Sequence, residues 1–144
     1  MRVEIQNAAS YDEEHAIIHA VTVTPDMQSA IDILENNCRV IPVTDNEEKV
    51  MCQTDKIYYI ESVDKRTYVY TKDKCFETKY RLYELDEILN RNYFRASKAM
   101  IVNIKKIQSV KAEINGRMTA ELLNGERIII SRSYVKDLKE RLGV

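Results

Sequence analysis

Apolar positions change their spacing along the 144-residue chain, and the changes mark out its elements. Residues 2–6 and 16–23 alternate or cluster apolar side chains as short strands do, with "NAASYDEEH" as a loop between them. In "TPDMQSAIDILENN", Met27, Ala30, Ile31 and Leu34 fall at i, i+3, i+4 and i+7, one face of a helix. Thr24 as N-cap, Pro25 at the first helical position and Asp26 in the first turn mark its start, and two asparagines mark its end. "CRVIPV" reads as a following strand and "TDNEEKV" as a turn. Residues 1–48 are therefore expected to form a small strand, strand, helix, strand unit.

From residue 49 the pattern is mostly that of strands. "KIYYIES" and "TYVYTKD" are β-branched and aromatic runs separated by "VDKR", which predicts a hairpin. Leu82, Leu85, Ile88 and Leu89 then fall at helical spacing. In "NYFRASKAMIVNIKKIQSVK", residues 92–111, the apolar side chains Phe94, Ala96, Met100, Ile101, Val102, Ile104 and Ile107 are candidates for the core. Two Asn-Gly pairs, Asn115-Gly116 and Asn124-Gly125, bracket "RMTAELL" and predict type I′ turns in a three-strand meander over about 107–130. "SRSYVKDLKERL" predicts a short terminal helix, with Ser131 or Ser133 as cap and Val135 and Leu138 inward. The class is α+β: a strand/helix leader, 1–48, and a mostly antiparallel β domain, 49–144, with one main helix and a short C-terminal helix.

Charge divides the chain the same way. Residues 1–50 hold three basic side chains against ten acidic, whereas residues 51–144 hold nineteen against thirteen, although the whole chain has a formal charge of −1. Residues 91–136 hold ten basic side chains against three acidic, the footprint of a nucleic-acid face or of a solvated surface, between which charge alone does not decide; within them the stretch 92–111 carries Arg95, Lys98, Lys105, Lys106 and Lys111 and no acid. No apolar run approaches the roughly 20 residues of a bilayer span, and residues 1–10 lack a signal-peptide core, so a cytoplasmic location is expected. Cys38, Cys52 and Cys75 are widely spaced and read as reduced, mostly buried thiols.

Catalytic chemistry finds no residues to carry it. With glycine only at 116, 125 and 143 there is no Gly-rich phosphate loop. His15 and His19 are four apart but lie in an extended-looking segment with no third ligand pattern. No nucleophile, base and oxyanion donors occur together. Neither an enzyme nor a cofactor or metal site is expected.

Three separated motifs, "DKIYYIESVDKRTYVYT", "YRLYELDEILNRNYFRASKAMIVNIKKIQSV" and "NGERIIISRSYVKDLKERL", together resemble a LytTR-type DNA-binding domain over about residues 50–142. The matching features are Glu61, the helix leucines, Phe94 and Arg95 of an "FxR" element, Val102, Asn103 and Ile107, and the closing Ser131 and Arg132. The chain departs from the family at Ala96, Ser97 and Lys98, where members commonly carry a histidine.

That resemblance implies a sequence-specific transcription regulator that presents loops to successive major grooves of double-stranded DNA. Carried over by position, the contact loops are Lys65, Arg66 and Thr67; Arg95, Ser97 and Lys98; and Arg132 and Ser133, with Lys105 and Lys106 placed for phosphates. A structural alternative gives Arg95 or Arg132 to an internal carboxylate such as Glu61, and Asn103 to buried backbone. The leader is too short for a phosphorylatable receiver domain and resembles that of stand-alone members, as a dimerisation or sensing element. A homodimer on repeated half-sites is expected, and stand-alone members are often encoded beside a small membrane protein. The competing reading is an RNA-binding or protein-interaction module using the same loops, with Tyr58, Tyr59, Tyr68 and Tyr70 as stacking residues.

Overall fold

The computed structural model describes residues 1–10, 15–36, 40–89 and 92–144. Its first regular element is helix α1, Pro25–Asn36, where Thr24 Oγ1 accepts a hydrogen bond from Met27 N at 3.2 Å as an N-cap should. The strands expected at 2–6 and 16–23 are absent from the described residues there, which lie exposed without regular structure. Alternation makes a strand only where a partner supplies the other half of each hydrogen bond, and no strand pairs with these segments among the described residues. The apolar stripe of α1 is also largely open: Met27 and Ile31 are half-buried, while Ile33 and Leu34 are 63% and 57% exposed.

Strands β1 (Val40–Asp45) and β2 (Glu48–Gln53) form a hairpin, and β3 (Tyr59–Val63) and β4 (Arg66–Tyr70) form a second. Each is closed by two residues of positive φ, Asn46 and Glu47 in the first and Asp64 and Lys65 in the second. This is the type I′ geometry whose twist matches paired strands. With β5 (Cys75–Thr78), β6 (Tyr93–Ser97) and β7 (Met100–Asn103) they make a seven-stranded antiparallel sheet ordered β2-β1-β5-β4-β3-β7-β6. The boundary expected at residue 48 falls inside the first hairpin, and β1 belongs to this sheet through both β2 and β5. Pro42 has no N–H to give the ladder, but its carbonyl accepts from Thr78 Oγ1 at 3.1 Å.

Strands β8 (Ile107–Ala112), β9 (Met118–Leu122) and β10 (Arg127–Ile130) form the expected meander as a separate sheet, and helix α3 (Arg132–Leu142) ends at Gly143 in the left-handed region. The Asn-Gly hairpins exist, but their turns are not type I′. Only the glycines have positive φ, and each closes a turn whose asparagine side chain accepts from the backbone two residues on. That is the type I turn with a glycine bulge.

Alternation along the large sheet sorts its side chains into two cores. Ile60, Val69, Phe76 and Ile101 face helix α2 (Leu82–Ile88), whose Leu82 and Leu85 are buried there together with Leu89 just past its end. Tyr59, Phe94 and Val102 face the meander and Leu138 of α3. The helix leucines and the core candidates of 92–107 pack as their spacing suggested, with Met100, Ile104 and Ile107 half-buried.

Candidate nucleic-acid interface

Antiparallel pairing carries three loops to one end of this framework. The β3–β4 turn holds Lys65, and the β6–β7 turn holds Lys98 and Ala99. Strand β3 lies between β4 and β7, so these turns are neighbours, and Ser62 N donates to the Ala99 carbonyl at 2.8 Å. The start of α3 joins them, because Ser131 N donates to the Ala96 carbonyl at 2.8 Å. Lys65, Arg66, Lys98, Arg132 and Ser133 are all exposed here, and Ser97 is half-buried.

Arg95 shapes the middle loop from below. The pairing of β6 with β7 shifts register between Arg95 and Ser97, a bulge that re-aims the turn. Arg95 Nε lies 2.9 Å from Asp86 Oδ2 on α2, and its Nη1 donates to the Lys98 carbonyl at 2.8 Å. Ser97 Oγ accepts from Ala99 N at 3.2 Å. Thus the bidentate reach of one guanidinium locks a loop to a helix. The internal-carboxylate alternative applies to Arg95, with Asp86 rather than Glu61 as the partner; Glu61 sits half-buried opposite Tyr68 and Met100.

The structure removes other candidates from this face. Thr67 is only 2% exposed, because alternation along β4 turns it inward with Val69 while Arg66 points out. Lys105 and Lys106 lie beyond the far end of β7, so the strand separates them from Lys98 by roughly 13 Å or more at about 3.3 Å per residue. Lys106 sits over the Tyr58 ring at 5.3 Å, and Lys105 Nζ is 3.9 Å from Asp32 of α1. Asn103 is structural: buried, it donates from Nδ2 to the Ile57 carbonyl at 2.9 Å and accepts from Lys105 N at 3.0 Å.

Three cations at the shared end were not singled out from the sequence. Lys79 and Arg81 follow β5, whose last residue, Thr78, pairs with Thr67 beside the β3–β4 turn, and Arg81 Nη1 donates to the Lys65 carbonyl at 2.5 Å. Arg117 lies in the β8–β9 loop. Antiparallel strand order would have identified them, since every second loop of a meander returns to the same end.

The tyrosines are not free to stack on bases. Tyr58 and Tyr59 are buried, Tyr59 stacks on Tyr70 at 4.4 Å and 11°, and Tyr68 is half-buried. Tyr59 donates its hydroxyl to Glu126 Oε2 at 2.6 Å, tying the two sheets. Burial, reinforced by that carboxylate, pushes its phenol well above the usual tyrosine range. Of the thiols, Cys52 is buried and raised mainly by burial, Cys75 is exposed, contrary to expectation, and Cys38 lies outside the described residues. No group of three or more His, Cys, Asp or Glu suited to a metal occurs among the described residues, and none of the described helices is long and apolar enough to cross a membrane.

Residues 47–143 match the LytTr DNA-binding domain family. The chain is similar over its whole length to uncharacterized HTH-type transcriptional regulators of Staphylococcus aureus. Those of strains NCTC 8325 and N315 are each 29% identical over 147 residues, covering 100% of this chain and 99% of theirs. Among solved structures, the LytTr DNA-binding domain of a putative methyl-accepting/DNA response regulator from Bacillus cereus superposes with a TM-score of 0.70 at 26% identity. It covers 75% of this chain and 100% of that one. Despite the helix-turn-helix wording of the staphylococcal names, no two helices are joined by a short turn among the described residues, and α2 is followed by strands.

Proposed function

Since the chain belongs to the LytTR family of DNA-binding domains, we propose that it is a sequence-specific transcription regulator that reads double-stranded DNA with loops at one end of its sheets. The observation that carries this reading is the pair of backbone hydrogen bonds, Ser62 to Ala99 and Ser131 to Ala96, which hold three cationic loops as one unit. A preassembled face orders few groups on binding, so more of its contact energy appears as affinity. Lys98, at the tip, is the candidate for donation to guanine O6 or N7 in a major groove, while Lys65, Arg66 and Arg132 reach phosphates or bases beside it.

The burial of Tyr58 and Tyr59 favours duplex over single-stranded RNA, because it takes away the aromatic platform that unpaired bases need. In a gel shift of the full chain, unlabelled duplex should compete for a bound duplex, and single strands of the same sequence should not. Lys98→Ala should weaken specific binding by roughly 1–3 kcal/mol without unfolding the protein. Unchanged affinity and specificity would remove Lys98 from the interface.

The protein works as a homodimer on repeated half-sites, with the leader as the point of association. Its support is the exposure of Val3, Ile5, Ile17, Val21, Ile33 and Leu34, apolar side chains left open for a second copy to cover. The excess of acids in residues 1–50 keeps that part off the DNA by repulsion. Sedimentation of the full chain against one beginning at residue 40 tests this. Equal self-association of the two would exclude the leader.

A further inference from the structure

The β8–β9 loop, residues 113–117, returns to the same end as the three loops above. Met118 pairs with Ile130, the residue before Ser131, and Ser131 is bonded to Ala96 beside Ser97 and Lys98. We propose that this loop is a fourth part of the DNA face, in which Gly116 positions the side chain of Arg132 and Arg117 supplies a contact to a flanking phosphate. The inference rests on the DNA-binding reading.

Gly116 differs from its counterpart in the next hairpin in what a side chain there would meet. Gly116 and Gly125 have φ of +83° and +88°, so a side chain at either would strain the backbone similarly. A Cβ on Gly125 would meet nothing within 4 Å, whereas a Cβ on Gly116 would lie 3.0 Å from Arg132 Cδ and 3.2 Å from its Cγ. The aliphatic stem of Arg132 therefore rests on the bare backbone of this loop, which fixes the direction in which its guanidinium leaves the domain.

The loop itself is well braced. Asn115 Oδ1 accepts from Arg117 N at 3.1 Å, Gly116 N donates to the Glu113 carbonyl at 3.3 Å, and Glu113 N donates to the Arg117 carbonyl at 2.9 Å. Its one acid, Glu113, accepts the Thr119 hydroxyl at 2.9 Å. Arg117 is exposed and follows directly on Gly116, the residue whose backbone the stem of Arg132 rests on, so both guanidinium groups leave the domain from this loop.

Binding of the full chain to its selected duplex, measured by fluorescence anisotropy at several salt concentrations, tests both parts. Arg117→Ala should lower the magnitude of the slope of log K against log salt by about 0.9, weaken specific and unrelated duplexes by the same factor, and be rescued by Arg117→Lys. Gly116→Ala should reduce discrimination against single-base variants of the site about tenfold at one position, while Gly125→Ala leaves it intact. In an Arg132→Ala background, Gly116→Ala should have no further effect. An unchanged slope in Arg117→Ala, or equal losses in Gly116→Ala and Gly125→Ala, overturns this inference while duplex binding by the wild type preserves the broader reading. A wild-type chain that binds no duplex overturns both.

Discussion

Arg95 offers the sharpest separation between a residue that touches DNA and one that aims another. Its guanidinium bridges Asp86 at 2.9 Å and the Lys98 carbonyl at 2.8 Å, with only 24% of the side chain exposed. A charge-assisted hydrogen bond contributes about 1.5–3 kcal/mol when shielded, but Asp86 is 43% exposed, which reduces the ion-pair share to 1 kcal/mol or less. Arg95→Ala should therefore cost roughly 1–2 kcal/mol of stability, a fall in Tm of about 4–8 °C for a domain of this size. It should also weaken DNA binding through a loosened Lys98 loop. The decisive variant is Asp86→Asn. Removing an acid near a DNA face should strengthen binding on simple Coulombic grounds, whereas loss of the brace should weaken it severalfold. Thermal melting and anisotropy on the two variants settle the sign. Tighter binding by Asp86→Asn, together with an Arg95→Ala that melts like the wild type, would refute the bracing role and return Arg95 to the contact surface.

Three further outcomes follow from the packing. Asn103→Ala leaves the buried Ile57 carbonyl and Lys105 N without their partner and should cost about 2–4 kcal/mol in urea unfolding; a loss below 0.5 kcal/mol would contradict the assignment. A chain beginning at residue 40 should stay folded, whereas one beginning at residue 49 loses β1 with buried Ile41 and Val43 and should melt far lower or not fold, as read by circular dichroism. Burial raises the phenols of Tyr59, Tyr70 and Tyr93 above the ordinary value near 10, that of Tyr70 to about 12. Above pH 10 the unfolded chain then releases protons that the folded one keeps, so stability present below about pH 10 should decline as pH rises further. Tyr93→Phe should make that decline shallower above about pH 10, and an unchanged slope would show that Tyr93 does not contribute.

What was legible in the chain was whatever depends on neighbours in sequence. The spacing of Leu82, Leu85 and Leu89, the cap at Thr24 and the hairpin on either side of residues 64–65 all follow from local rules, whereas the loop at Ser97 and Lys98 came from the family resemblance. Thr67 was placed on a contact loop by the resemblance, although period-two alternation with buried Val69 turns it away from solvent. The turn types inverted expectation: Asp64 and Lys65 accept positive φ where the flanking strands demand it, while the Asn-Gly pairs fill longer loops. The Arg95–Asp86 bridge was beyond reach because it joins a strand to a helix through tertiary packing. Lys105 and Lys106 stand close to Lys98 in sequence, yet one four-residue strand carries them to the opposite end. A window of charge records composition, and only strand order tells which charges share a surface. The leader failed as strands for the complementary reason, because alternation supplies a face but not a partner.

Selection of bound sequences from a random duplex pool by the full chain shows whether the cationic loops read DNA sequence. A short motif, repeated at about one helical turn, should be enriched, and Lys98→Ala should lose that enrichment. Recovery of a pool indistinguishable from the input, at salt where non-specific binding is suppressed, would contradict sequence-specific reading by these loops.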